Sequence, residues 1–300
     1  MINYAIPGVY SHFELNVNLI HLIKDHPEFF YDNIGIDAVF GIFPFCIMDG
    51  GRIFNEYVHL TKEEVEYIVK TYNDLGIPVR LVYTNTQLDP SLYNDRWSNI
   101  VLKIVENDIN QIVVSDDNFQ KYVRENYPKF SFISSTTKCL NLADFKEELK
   151  KDAYLEVCLD YNLNSNLKML NELTEQEREK CEFLINAICA PGCQNRKEHY
   201  KFNSLYHINQ GMNFHMIYCP ITDNTVSPTN CAYRNNLSYE DIVKNYEPLG
   251  FKHFKLEGRT LSDLEVAANY IKYMVKPEYK EYVLTRIMPE KAMNKGVLHQ

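Results

Sequence analysis

Three hundred residues, 45% hydrophobic and 24% charged, suffice to bury a core without disulfide or metal staples, which excludes disordered, fibrous and disulfide-scaffold chains. With 31 Lys+Arg against 40 Asp+Glu the net charge is −9, so nucleic acid is an unfavoured partner unless basic residues gather, and the densest group, Arg196, Lys197 and Lys201, is modest. The start, MINYAIPGVYSHFE, lacks the basic, apolar and small-residue regions of a secretory signal, and no stretch is apolar for a membrane's width, so a cytoplasmic protein with free thiols is expected.

Apolar runs of strand length recur along the chain, nearly continuous as in strands buried on both faces, at 4–9, 37–43, 79–84, 111–115, 130–133, 155–159, 183–186 and 251–256. Helical signals fall between them. Thr61-Lys-Glu-Glu64 is a capping box ahead of Val65, Ile68, Val69 and Tyr72 on one face, with Gly76 as the stop. Asp89-Pro90 is an N-cap before a first-turn proline, and Thr174-Glu-Gln-Glu177 is a second capping box. Ser238 opens a segment with Ile242, Val243 and Tyr246 on one side, and Leu264, Ala267, Ala268, Ile271 and Val275 mark the last long helix. Eight alternations in one domain of residues 1–300 predict a single (β/α)8 TIM-like barrel, with an open doubly wound sheet as the alternative. The stretch 187–236 breaks the rhythm and is expected to be a long functional loop after the seventh strand.

In such a barrel the chemistry sits where strands end. The cysteines sort on that rule. Cys158, Cys181 and Cys139 read as small buried hydrophobes, whereas Cys189, Cys193, Cys219, Cys231 and Cys46 follow strands or lie in the long loop. In Cys189-Ala-Pro-Gly-Cys193 the proline and glycine turn two thiolates toward one centre. Further donors, Cys219, Cys231, Cys46 or His199, would complete tetrahedral zinc or an iron-sulfur cluster, and Arg196 would offset its charge. C-x3-C alone is equally two thiols in a loop. In Glu257-Gly-Arg259 a strand ends in an acid or base and a carboxylate-binding fork, or in a pair that only closes the barrel. Arg52 after Asp49-Gly-Gly suits a small anion on a flexible turn, and Asn85, Asp160, Asn162 and Asn186 are polar groups at strand ends, where each also suits a cap. The remaining histidines form no ligand spacing, and serine-elbow, Walker and Rossmann strings are absent. The 22 tyrosines suit a stacking surface or simply cover a wide barrel.

FKLEGRTLSDLEVAANYIKYMVKPEY resembles the "LKIEGR" block and following helix of the collagenase-like U32 peptidase family. NAICAPGCQNRKEHY and DAVFGIFPFCIMDGGR are similar to cysteine and early glycine blocks of a divergent bacterial branch, and together these cover about residues 35 to 280. The resemblance implies a TIM-like barrel. In relatives it implies a four-iron cluster on four cysteines, in enzymes or accessory proteins of oxygen-independent hydroxylation acting on RNA bases or ubiquinone precursors; the peptidase label is older. Carried over by position, Cys189 and Cys193 match the cysteine block, Arg196 and His199 its downstream positions, and Glu257 and Arg259 the Glu-Gly-Arg block. Cys219 and Cys231 follow by order along the chain, with Cys46 in reserve.

The expectation is an iron-sulfur (4Fe-4S) enzyme performing a redox or hydroxylation step on a small molecule or peptide. Metal ligands would be Cys189, Cys193, Cys219 and Cys231, catalytic groups Glu257, Arg259 and His199, and substrate-binding groups Arg52, Asn85, Asp160, Asn186 and Arg196. Structural zinc, a metal-free accessory protein with a protein partner or as a homodimer, and a peptidase are the alternatives.

Overall fold

The computed structural model describes residues 1–51, 53, 58–189, 192–209, 236–258 and 261–289. Eight parallel strands close into a barrel in chain order: β1 (Ile2–Pro7), β2 (Ile34–Gly41), β3 (Val79–Tyr83), β4 (Gln111–Val114), β5 (Ser131–Ser134), β6 (Glu156–Leu159), β7 (Cys181–Leu184) and β8 (His253–Lys255). β8 returns to β1 through Asn3↔His253 and Ala5↔Lys255. All eight strands coincide with the apolar runs, and closure removes the open-sheet alternative. Boundaries shift by a few residues; β1 and β2 begin earlier than their apolar runs because Asn3 and Asp37 are polar residues inside strands.

The helices that cover the barrel are α1 (Phe13–Asp25), α2 (Lys62–Asp74), α3 (Arg96–Val105), α4 (Asp117–Asn126), α5 (Leu142–Leu149), α6 (Leu167–Glu172), α7 (Glu175–Glu179), α8 (Arg196–Ile208), α9 (Tyr239–Asp241, continued by a π-helical turn), α10 (Asp263–Met274) and α11 (Lys280–Ile287). Thr61, Thr174 and Ser238 close capping boxes as their sequences require, and so does Ser262. None of the described helices is long and apolar enough to cross a membrane.

Alternate strand residues point outward and inward. Ile6, Val39, Leu81, Ile112 and Phe132 join the main core beneath the helices, while Ala5, Phe40, Val82, Val113 and Ile133 form a separate cluster inside the barrel. Two residues upstream of those inward positions the lining turns polar. Arg80, Gln111, Glu156, Glu182 and His253 come from five strands, and Asp37 joins them at a bulge, where the β1–β2 pairing skips it. The Arg80 guanidinium, fully buried, donates to Gln111 Oε1 (2.6 Å), Glu156 Oε1 (2.9 Å), Asp37 Oδ2 (3.2 Å) and Glu182.

The principal departure is α8. The segment expected to be loop holds thirteen helical residues whose buried positions are Arg196, Tyr200, Ser204 and His207. Their spacing is helical, but the face is polar and Asn195 makes no side-chain cap, so a search for apolar periodicity passes over it. Residues 210–235 lie outside the described residues.

Candidate functional site

α8 lies against the ends of β2, β3 and β6 and ties their loops together. Arg196 Nη1 donates to Asp160 Oδ2 at 2.5 Å, Ser204 Oγ accepts from the Thr86 amide at 3.0 Å, Asn203 donates to Gly51 O at 3.2 Å, and His207 Nε2 stands 3.4 Å from Asp49 Oδ2. The approach needs Gly50. A Cβ there would overlap Ser204 Oγ and stand 2.7 Å from Thr84 O and 2.8 Å from Asn85 Cα. The Asp-Gly-Gly turn read as flexible is thus a site of close contact.

The polar residues expected to meet substrate are mostly engaged with the protein itself. Asn85 donates to Ile47 O (2.7 Å) and Ser204 O (3.0 Å) and accepts from the Gln87 amide (2.9 Å). Asn186 clasps the Glu257 backbone, accepting from its N–H at 2.6 Å and donating to its carbonyl at 2.9 Å. Asp160 caps Asn162 with Oδ1 (2.9 Å) while Oδ2 holds Arg196. Arg196 lies 4.1 Å over the Tyr161 ring and 5.7 Å from that of Tyr200. Burial opposes its charge, but Tyr200, Tyr161 and Asp160 together hold the guanidinium above its ordinary pKa. These side chains position the loops that form the mouth.

Within that frame a cavity opens at the strand ends. Phe40, Val82, Val113, Leu184 and Lys255 form its floor, and Thr84, Ser135, Thr136, Thr137, Tyr161, Tyr200 and Glu257 form its wall. Glu257 Oε2 accepts from the Ile188 amide at 2.9 Å. Its loop is fixed on the far side by His12, whose Nε2 contacts Gly258 O at 3.2 Å and Nδ1 contacts Asp263 Oδ1 at 2.6 Å. Gly258 is required there, since a Cβ would stand 2.5 Å from Pro7 Cγ. His199 is half-buried on α8 but is not among the described lining residues. Arg52, Arg259, Cys219 and Cys231 lie outside the described residues.

The thiols divide differently from the expectation. Cys189 is half-buried against Tyr161 and Leu184, which line the cavity, and against Ala187 and Cys158, while Cys193 is half-buried four residues on. Cys139 is no simple core residue. It caps the short turn after β5 in a left-handed conformation (φ 50°), within electrostatic reach of Arg196, Asp160 and Cys189, and burial pushes its thiol pKa up while Arg196 draws it down. Cys46 faces the other way: it is buried in the main core, accepts from Tyr83 Oη at 3.4 Å, and burial pushes its thiol up to about 12. That environment suits packing, not ligation, because a ligand must be a thiolate.

Among the described residues, three metal-type donors converge in one place only, at Asp37, Glu156 and His253, within 4.8 Å of one another in the lower barrel. Arg80 Nη2 already stands among them, 2.9 Å from Glu156 and 3.2 Å from Asp37, so a guanidinium fills the position a cation would take. Burial alone would raise the Asp37 carboxyl, but the His253 hydrogen bond and the Arg80 charge bring it down to about 2. Burial outweighs Arg80 at Glu156 and raises it to about 7. Burial opposes the charge on His253, yet its bond to Asp37 and the field of Glu156 raise its pKa. Sequence reading missed this cluster, Lys255 and Cys139; the signal for the first two was charge at alternate positions inside apolar strands.

No family model and no curated protein sequence matches the chain. Its fold is similar to the solved structure of the U32 peptidase Mk0906, with a TM-score of 0.52 and 16% identity over 86% of this chain and 93% of that one. At that identity the likeness establishes the fold, the same TIM-like barrel that the Glu-Gly-Arg and cysteine blocks implied.

Proposed function

We propose that this U32-like barrel is an enzyme acting on a small molecule or peptide at its mouth, with Cys189, Cys193, Cys219 and Cys231 as ligands of an iron-sulfur cluster beside the pocket. The observation that carries the reading is the placement of Cys189 in the mouth, against Tyr161 and near the buried Arg196–Asp160 pair. The donor set suits such a group: two half-buried thiols four residues apart, one of them packed against Tyr161, over whose ring Arg196 lies. When bound, a cluster would supply one-electron chemistry. The chain's own residues then bind and orient. The unpartnered Thr136 hydroxyl offers a donor and acceptor to substrate, and Glu257, anchored through Oε2, holds a carboxylate at the rim as acid or base.

Anaerobic purification followed by iron, acid-labile sulfide and zinc quantification tests this. Matched iron and sulfide in the wild type, lost in Cys189→Ser and Cys193→Ser, is expected. Zinc in place of iron would make the metal structural, and protein free of both metals after anaerobic reconstitution would remove the cluster. The peptidase reading rests on the name of the structural neighbour; cleavage of peptide substrates by metal-free protein, abolished in Glu257→Gln, would favour it.

A further inference from the structure

We propose that Lys255 makes the mouth pocket a receptor for one carboxylate group, so that the substrate is a small carboxylate-bearing molecule. This rests on the reading above only in placing the ligand at the mouth, and does not require the cluster.

Lys255 ends β8 with its side chain inside the barrel, 8% exposed, on the floor of the pocket. Its ammonium lies 4.3 Å from the centroid of the Phe40 ring. Beneath it Glu182 Oε2 is 3.5 Å away, an ion pair without a hydrogen bond, and that oxygen accepts no hydrogen bond from the protein. An ammonium carries three donors, and a buried donor left unsatisfied costs free energy. Lys255 Nζ therefore has an aromatic face beside it, a carboxylate at 3.5 Å with no hydrogen bond formed, and the pocket that its side chain lines. Arg196, another cation near the mouth among the described residues, is already committed to Asp160.

The surroundings suit an oxyanion. Thr136 Oγ1 on the wall is buried with no hydrogen-bond partner, and the Ser135 and Thr137 hydroxyls, bonded to each other at 2.8 Å, keep one proton between them for an acceptor. The charge of that anion is limited. Lys255 offers one positive charge, and the carboxylates of Glu182 below and Glu257 at the rim repel a second negative charge. Among the described groups this balance favours a monoanionic carboxylate over a phosphate dianion.

The test is ligand-induced thermal stabilisation and calorimetric titration with acetate, lactate, hippurate and inorganic phosphate at matched ionic strength. At least one carboxylate is expected to bind the wild type, and tenfold or more weaker to Lys255→Met. Because that change strands a buried Glu182, the isosteric double variant Lys255→Met/Glu182→Gln serves as the folded control and is expected to show the same loss, while Lys255→Arg retains binding. Equal carboxylate affinity in the folded double variant, no response to any carboxylate in the wild type, or tighter binding of phosphate would each overturn the inference. Metal analysis reports separately: a metal-free protein that binds carboxylates through Lys255 sinks the cluster alone, and an iron-loaded protein indifferent to them sinks this proposal alone.

Discussion

Replacing Arg80 by Met removes the one guanidinium that joins four strands inside the barrel. Its partners are Gln111, Glu156, Asp37 and Glu182, three of them carboxylates, and Arg80 itself is wholly enclosed. Methionine fills much of the volume but leaves the carboxylates facing one another with only Lys255 and His253 as counter-charges. Breaking a buried pair in this way costs about 3–5 kcal/mol, a large share of the roughly 5–15 kcal/mol that holds a domain folded. Urea unfolding followed by circular dichroism measures it. Arg80 lowers the Glu156 carboxyl, so its removal makes protonation of Glu156 easier, and the deficit is expected to be smaller at pH 5.5 than at pH 8.5. The triple variant Arg80→Met/Glu156→Gln/Glu182→Gln should recover most of the loss, because amides need no counter-charge. A single variant within about 1 kcal/mol of wild type at pH 8.5 would refute the reasoning, since surface substitutions alone cost that little.

The wild type should lose stability as pH rises from about 4.5 to 8. Glu156, raised from 4.5 to about 7 in the fold, and His253, also raised, each contribute stability that is complete below their unfolded values and lost as pH climbs through the folded ones; Glu156 accounts for about 3 kcal/mol over the whole range, most of it lost between pH 4.5 and 7, and Glu156→Gln should flatten the profile. Gly50→Ala should cost about 1–3 kcal/mol by pushing α8 off the β3 end, and hydrogen exchange should show the Thr86 amide losing the protection that Ser204 Oγ provides. Arg196→Lys keeps the charge but cannot reproduce the planar contact with Tyr161 while reaching Asp160, so thermal denaturation should register a loss of about 1.5–3 kcal/mol.

The barrel was legible because strands of a parallel sheet are buried on both sides, leaving uninterrupted runs such as Val79–Tyr83 and Gln111–Val114. Capping boxes at Thr61 and Thr174 were legible because each is a local exchange of two hydrogen bonds, whereas Ser238 was legible only as the opening of a segment, its box partner being Asp241 rather than Glu or Gln. The site was less so. α8 buries Arg196, Tyr200, Ser204 and His207 against loops, so its inner face carries no apolar stripe. Asn85 and Asn186 stand at strand ends as expected, yet only coordinates show that they bond to Ile47, Ser204 and Glu257 backbone atoms far away in sequence. Cys139 reaches the mouth through one left-handed residue that nothing in its neighbours announces.

The stitching of three loops by one helix sets the order in which this molecule can become competent. Asp49, Asn85 and Asp160 leave the ribosome well before Arg196–Ile208, and until then the early loops lack the partners that fix them. The last barrel strand, which brings Lys255, emerges later still. A nascent chain halted after β6 would hold Thr84 and the Ser135–Thr137 part of the wall but neither α8 nor Lys255, so the pocket can be completed only late in synthesis.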